Sequence, residues 1–216
     1  MTLRSRMFVT GALGCVLAGC ASQGELVVDQ GVGITAVLSS CPAVGVPDYT
    51  GDVTLFRTAG AKTSDNLDMT AAITNLRSTC DDSSAKVYTG ATFDVVARRS
   101  DVRGARTVTL PYFSTVLRGG SAVVTKRLGS VTLNFADGQE RAQASGQAGA
   151  FVDKAAASLP PEVREKITRR RRAGDRDAAL DPLADPAVRA AIQRTSFELL
   201  VGFQLDEQQL AYNATR

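Results

Sequence analysis

The stretch Phe197-Glu198-Leu199-Leu200-Val201-Gly202-Phe203-Gln204-Leu205 carries a large apolar side chain at every odd position. Successive side chains of a β-strand point to opposite faces of a sheet, so these five apolar residues would share one face. The stretch therefore predicts a strand that buries one face in a core. Because it lies near the end of the chain, the C-terminal region is expected to join a sheet.

Upstream of this stretch the chain is a series of short runs rich in β-branched and aromatic residues. The runs cover residues 52–56, 67–74, 93–98, 106–110, 112–117, 123–125 and 131–135. Residues 140–150 alternate small with polar side chains, which fits a strand packed closely on a neighbour or a loop. Pro111 separates two of the runs, which suggests a bend or an edge strand because proline lacks an amide donor.

Turn signals separate the runs at intervals of about ten residues, which is typical of all-β domains. The clearest are Asp81-Asp82-Ser83-Ser84, Gly119-Gly120 and Asp137-Gly138. Seven or so short strands in this pattern predict a mainly β fold, an antiparallel β-sandwich of the immunoglobulin or fibronectin-III type. A small helical segment and the final strand would follow it.

The helical segment is predicted from its start signals. Pro160-Pro161 precedes a helix that is expected to run through the arginines to Ala173, with Gly174 as its cap. Asp185-Pro186 would open a second helix as an N-cap and first residue. The expected layout is residues 20–50 as a tether with edge strands, 51–152 as the sandwich, and 153–216 as the helical appendage with its strand.

The first twenty residues have the organisation of an export signal. Arg4 and Arg6 precede a short apolar run, which is too short to span a bilayer of about 30 Å as a helix. The run ends in Leu17-Ala18-Gly19-Cys20, which resembles the lipobox of bacterial lipoproteins at all four positions. This resemblance covers only the N-terminus and does not extend to the domain behind it.

The resemblance implies cleavage between Gly19 and Cys20, removal of residues 1–19, and attachment of diacylglycerol and a fatty acyl group to Cys20. Acyl chains contribute about 0.8 kcal/mol per buried methylene, so the chain would stay on the membrane. Ala21 follows the cysteine, which resembles lipoproteins sorted to the outer membrane. The expected location is therefore the periplasmic side of the outer membrane, anchored at Cys20.

Cys41 and Cys80 are the two cysteines left after Cys15 is removed and Cys20 is acylated. An even pair in an oxidising compartment is a disulfide candidate. The alternative is two separately buried thiols. A zinc site is disfavoured because two cysteines without histidine do not complete a structural zinc centre.

Composition narrows the function classes. The chain has no histidine, which removes the commonest general base and metal ligand, and catalytic triads that need histidine. Without Arg4 and Arg6 it carries 23 basic and 22 acidic residues, a balance that gives no indication of a nucleic-acid partner. No cofactor and no metal are predicted. Asp81 and Asp82 are the acids considered for a hydrolase.

The run Arg169-Arg170-Arg171-Arg172 has two interpretations. It is a candidate contact for an anionic surface, such as lipid phosphates or an acidic partner. Alternatively it is a solvated helix end that pairs with nearby aspartates, because four consecutive helix positions spread around the axis and cannot face one ligand.

The leading hypothesis is a lipid-anchored, non-enzymatic scaffold or adaptor of the bacterial envelope with a protein partner. The alternative is a periplasmic carrier for a lipid or another hydrophobic ligand. An enclosed apolar cavity would favour the carrier, and an exposed apolar patch without a cavity would favour the adaptor.

Overall fold

The computed structural model describes residues 36, 38–58 and 60–216. Within them the chain forms eight strands and three α-helices. The strands are β1 Ala43–Gly45, β2 Asp52–Phe56, β3 Leu67–Asp81, β4 Lys86–Arg99, β5 Arg106–Arg118, β6 Ala122–Phe135, β7 Arg141–Asp153 and β8 Phe197–Phe203. The helices are α1 Pro161–Thr168, α2 Pro186–Thr195 and α3 Glu207–Thr215.

The strands form two four-stranded sheets with the orders β1-β8-β5-β6 and β2-β3-β4-β7. Neighbours pair antiparallel except β1 and β8, which are parallel. The inward faces of both sheets supply one continuous buried core. The predicted mainly β sandwich with a C-terminal helical segment and a final strand is confirmed.

The final strand lies inside its sheet, between β1 and β5. Its alternate residues Phe197, Leu199, Val201 and Phe203 are all buried in the common core. The C-terminal region is thus part of the sandwich, as the period-two pattern predicts. Two of its helices and the segment before them bury a smaller cluster formed by Leu159, Ile167, Val188 and Ala191.

Pro111 lies within the continuous strand β5, which has neighbours on both sides, so the expected bend or edge is wrong. The pairing of β5 with β8 begins one residue later, at Tyr112 and Phe203. Gln204 follows the end of β8 and its amide donates to the Pro111 carbonyl over 3.0 Å. Pro111 thus lies just beyond the pairing of β5 with β8. Its missing amide hydrogen therefore breaks no hydrogen bond of that pairing, and the loss of stability is small.

The stretch 140–150, for which a strand and a loop are both predicted, falls almost entirely in β7 Arg141–Asp153, on the edge of its sheet. The alternation of small and polar residues has a packing reason. A Cβ on Gly146 would lie 2.3 Å from the ring of Phe93, so the glycine leaves room for the aromatic ring of the neighbouring strand. The short residues of β7 are therefore required by their neighbours in the core.

Helix α1 ends at Thr168, so the prediction that it continues to Ala173 with Gly174 as its cap is wrong. Arg169 already has an extended backbone. Two residues later the chain turns inward and buries Arg171, whose guanidinium reaches the Lys166 carbonyl and the Asp177 carboxylate. The second predicted helix is confirmed: the Asp185 side chain caps α2 by accepting from the amide of Ala187 over 2.8 Å.

Cys41 and Cys80 form a disulfide with their Cα atoms 6.1 Å apart, which confirms the predicted bridge. Cys41 lies just before β1 and Cys80 near the end of β3, so the bond joins the two sheets covalently. Helix α3 was not predicted. It packs on β2, and its buried Asn213 donates from Nδ2 to the carbonyls of Tyr49 and Asp52.

Candidate functional site

The two flanks of the sandwich differ in the length of their edge strands. On one flank the edge strands are short: β1 has three residues and β2 has five, and α3 packs on β2. On the other flank lie β6 and β7, with 14 and 13 residues, each at the end of its sheet. Edge strands present unpaired amide and carbonyl groups, so this second flank offers two long backbone edges to a binding partner.

β6 is packed for only half of its length. Its second half buries Val131, Leu133 and Phe135 in the core. All seven residues from Ala122 to Leu128 are exposed, on both faces of the strand. The burial pattern thus shows that β6 continues beyond the core as a β-ribbon supported by β5.

The sheets separate at a defined point on this flank. The Tyr112 hydroxyl donates to the Gln147 carbonyl over 2.6 Å and so links β5 to β7. Its ring occupies the space above Gly129, where a Cβ would lie 2.5 Å from the ring, and it meets Phe93 edge-on with centroids 5.1 Å apart. This aromatic pair fills the centre between the sheets and closes one end of the gap beyond it.

Beyond Tyr112 the gap opens into a cleft of about 530 Å³ between β6 and β7, which we name the edge groove. Its lining is mixed: it includes the apolar Val116, Leu199, Ala148 and Ala150 and the polar Ser114, Thr125 and Gln147. Tyr88, Phe151, Leu128 and Arg127 form its walls. The groove is open to solvent along one side, so it is a surface cleft and not an enclosed cavity.

Large apolar side chains are exposed around the edge groove. The exposed fractions are 68% for Leu128 and 69% for Phe151, which line the groove, and 66% for Val123 near the start of β6. Phe151 is held against Tyr88 with ring centroids 4.8 Å apart. Tyr88 in turn lies over Gly149 of the neighbouring strand, where a Cβ would be 2.6 Å from its hydroxyl and 3.0 Å from its ring. Tyr88 and Phe151 therefore form an exposed aromatic pair on the outer face of their sheet, at the rim of the groove.

The charge of the edge groove is positive. Arg127 is its one charged lining residue among those described, and no carboxylate lines it. The adjacent Lys126 is placed over the Phe113 ring, 4.9 Å from the centroid. In the described part of the chain, neither cation belongs to an ion pair. An approaching group would meet two uncompensated positive charges beside apolar surface.

A second cleft of about 570 Å³ lies on the opposite flank, near the disulfide and α1. Its lining mixes the cations Lys154 and Arg164 with the acids Asp82 and Glu198. The Lys154 ammonium donates to the Asp82 carbonyl, so part of this charge is used within the fold. Leu38, close to the N-terminal limit of the described residues, also lines this cleft.

The four arginines at 169–172 do not form one surface. Arg169 pairs with Asp177, and the buried Arg171 shares the same carboxylate. That pairing with Arg169 lowers the pKa of Asp177. Arg170 and Arg172 are exposed. Contact of these two with an anionic surface stays a prediction, although the other two arginines of the run already pair with Asp177.

The acids considered for hydrolysis lie on a turn. Asp81 accepts a hydrogen bond from the amide of Ser83, and this bond lowers the pKa of Asp81. A general acid needs a raised pKa, so the shift has the opposite sign. Asp82 accepts from the Ser40 hydroxyl over 3.2 Å. Within the described ranges no three Asp, Glu, Cys or His side chains are grouped to bind a metal ion.

Cys20 and Gly19 lie outside the described residues, so the lipidation and cleavage predictions have no structural counterpart here. None of the helices in the described part has the length and apolarity to span a bilayer. Comparison with family models, with curated proteins and with solved structures gives no match.

Proposed function

We propose that this chain is a lipid-anchored, non-enzymatic adaptor of the bacterial envelope that holds a partner protein in its edge groove. The observation that carries the proposal is an open cleft between two free strand edges, with the exposed apolar side chains of Leu128 and Phe151 among its lining residues. Exposed large apolar side chains beside a cleft on a folded domain are typical of interaction sites. Polar and charged residues at its rim suit a partner that binds from water.

The adaptor is favoured over the lipid carrier by the shape of the groove. A carrier shields its ligand in an enclosed apolar space, and small-molecule sites bury most of the ligand surface. In this sandwich Phe93 and Tyr112 fill the centre between the sheets, and the edge groove is open along one side. Its open form suits a segment of a protein better than a ligand that must be kept out of water.

The anchor is proposed from the lipobox alone and has its own test. Cells that express the chain are fed an alkyne analogue of palmitate, and the protein is purified and tagged. The wild type is expected to incorporate label at Cys20, and Cys20→Ala is expected to lose it. Equal labelling of the two would contradict lipidation at Cys20, and fractionation of outer and inner membranes then tests the location.

The binding surface is tested by site-specific photocrosslinking in living cells. The photoreactive residue replaces Leu128 or Phe151 at the edge groove, and Leu180 as a control that is also exposed, at 62%. The groove positions are expected to give the same discrete protein adduct, identified by mass spectrometry, and the control position is not. Adducts from Leu180 alone, or none from either groove position, would contradict an adaptor that works through this flank.

A further inference from the structure

We infer that the edge groove binds an extended, acidic segment of its partner by strand addition to β6, with acidic side chains that meet Arg127 on the groove side and Lys126 on the outer face. This inference rests on the proposed function and specifies its partner. Strand addition takes its affinity from main-chain hydrogen bonds and its specificity from alternate side chains.

The backbone of β6 supplies the first part of the argument. β6 is the last strand of its sheet, and Ala122–Leu128 is exposed on both faces while paired on one side to β5. Seven residues of strand extend for about 23 Å, which is enough for several main-chain bonds to an added strand. Such a strand would continue the sheet over the opening between β6 and β7.

The side chains supply the second part. Successive residues of an added strand would point in turn into the edge groove and away from it. Those that point inward would meet Val116 and Leu199 together with Arg127, so both apolar and acidic side chains can be accommodated there. A helix would leave the unpaired groups of β6 without partners, so the free edge favours an extended ligand.

The third part of the argument is the charge of β6, which favours an acidic partner segment. Arg127 lies on the groove side of β6, opposite Ser114 in the ladder, and Lys126 lies on the outer face. β6 contains no carboxylate along its whole length. Pairing with the β6 of a second copy would therefore place four cations on one short ribbon with no acid to compensate them. An acidic strand removes that repulsion, because opposite charges across strands stabilise and like charges destabilise a pair.

The same cations also explain why the edge is not a hazard to the free protein. Lysine on an exposed edge strand discourages random strand pairing. Between Val116 and Leu117 of β5 the register shifts, which leaves Val124 of β6 as an unpaired extra residue in a bulge. The edge is thus protected against neutral or basic strands and open to acidic ones.

The test begins with a displayed library of random linear nine-residue peptides, selected on the purified protein. Enriched peptides are expected to be linear sequences rich in Asp or Glu that also contain apolar residues. Binding of one synthetic enriched peptide is measured by fluorescence anisotropy. Methylation of its backbone nitrogens at alternate residues is expected to weaken binding at least about tenfold in one of the two methylation frames, because strand addition needs those donors.

Variants of the protein locate the site. Arg127→Glu is expected to weaken the acidic peptide by about tenfold or more, and Arg141→Glu, an exposed arginine at the other end of β7, is expected to leave it unchanged. Lys126→Glu is a second variant in case the first misfolds. Hydrogen exchange with bound peptide is expected to slow at residues 122–128.

Four results would overturn the inference: no enriched sequence, enriched peptides without acids, affinity that is indifferent to N-methylation in both frames, or exchange protection elsewhere. A further outcome is that the protein binds anionic phospholipid vesicles but no peptide, and that Arg127→Glu abolishes vesicle binding. This result would show that the ligand of the groove is a lipid and not a protein strand. If peptide binding fails while Leu128 and Phe151 still crosslink to one protein in cells, the adaptor function stands and only strand addition falls.

Discussion

Arg99 is a cation in the interior, with 1% of its surface exposed. Its guanidinium donates to the carbonyls of Gln139, Gly104, Val102 and Ala136 over 2.7–2.8 Å. Two of these carbonyls belong to the β4–β5 loop and two to the β6–β7 loop, so one planar side chain fixes both loops. The Phe135 ring, with its centroid 5.2 Å from the guanidinium carbon, covers one face.

We predict that Arg99→Met lowers the free energy of unfolding by about 3 kcal/mol or more. The methionine fills much of the space but donates nothing, and a carbonyl left unsatisfied in the interior costs about 1–3 kcal/mol. Urea unfolding measures the loss. Arg98→Met is the matched control, because the Arg98 side chain is 65% exposed and its ion pair with Glu140 is expected to contribute less than about 1 kcal/mol. Equal losses in the two variants would contradict this role for Arg99.

Asp68 and Arg106 join the two sheets through a two-pronged ion pair, with both nitrogen–oxygen distances 2.7 Å. The hydrogen bonds from Arg106 are the main cause of the lowered pKa of Asp68. A carboxyl with a lowered pKa in the folded state contributes stability that is present above its unfolded pKa of about 4. That contribution is lost as the pH falls from there through the lower pKa of the folded state.

The prediction for Asp68→Asn follows from that sign. At pH 7 the variant is expected to be less stable than the wild type by about 1–3 kcal/mol, and the gap is expected to narrow steadily below about pH 4. Urea unfolding at pH 7, 5, 4 and 3 measures it. Asp48→Asn, at an exposed carboxyl, is the control and should show little difference at any of these values. A gap for Asp68→Asn that is the same at pH 7 and pH 3 would refute the linkage.

At the scale of strands, aromatic rings and glycines decide how the sheets fit together. Phe93 covers Gly146, Tyr112 covers Gly129 and Tyr88 covers Gly149, each on the neighbouring strand. The Phe93 pair lies at the centre of the sandwich, the Tyr112 pair at the closed end of the edge groove, and the Tyr88 pair at its aromatic rim. Glycine costs a strand some stability on its own, and the ring that fills its place returns part of it.

Gly146→Ala is predicted to lower the free energy of unfolding by about 1–3 kcal/mol, because the new Cβ would lie 2.3 Å from the Phe93 ring. Phe93→Leu alone creates a cavity and is also destabilising. Combined in one chain, the two changes are expected to cost less than the sum of the single losses, since each relieves the other. Thermal unfolding of the four proteins gives the coupling, and simple additivity would contradict the ring-on-glycine contact.

The sequence is sufficient for much of the fold at this scale. The alternation at 197–205, the turns and the pairing of Cys41 with Cys80 follow from local pattern and from counting, and the structure confirms them. The predictions for Pro111 and for the end of α1 are wrong because both depend on tertiary contacts. Pro111 is tolerated because the pairing of β5 with β8 ends at Phe203, and α1 ends early because Arg171 is buried. The edge groove was not predicted either. Val123, Leu128 and Phe151 look like core residues in a sequence, and only the packing shows that they face water.

At the scale of the whole molecule, the disulfide joins residues that are 39 positions apart and belong to different halves of the sandwich. We predict that the double change Cys41→Ala with Cys80→Ala lowers the free energy of unfolding by roughly 3–4 kcal/mol, the value expected for a loop of this length from chain entropy. Urea unfolding with and without dithiothreitol measures it. The reductant should lower the stability of the wild type to that of the variant and leave the variant unaffected. A wild type insensitive to full reduction would contradict the prediction.

The position of the disulfide has a mechanical consequence. Among the described residues, tension on the N-terminal segment would meet the bond from the amide of Ala36 to the Ile167 carbonyl and the bond from the Ser40 hydroxyl to Asp82, and would then arrive at Cys41. From there the covalent bond passes the load into β3, which is paired on both sides, so the three-residue β1 need not resist it. The proposed partner would pull on β6, the far edge of the other sheet. If the chain is anchored and bound as proposed, the two forces would act on different sheets, and contacts between the sheets such as the Asp68–Arg106 pair would carry the load from one to the other.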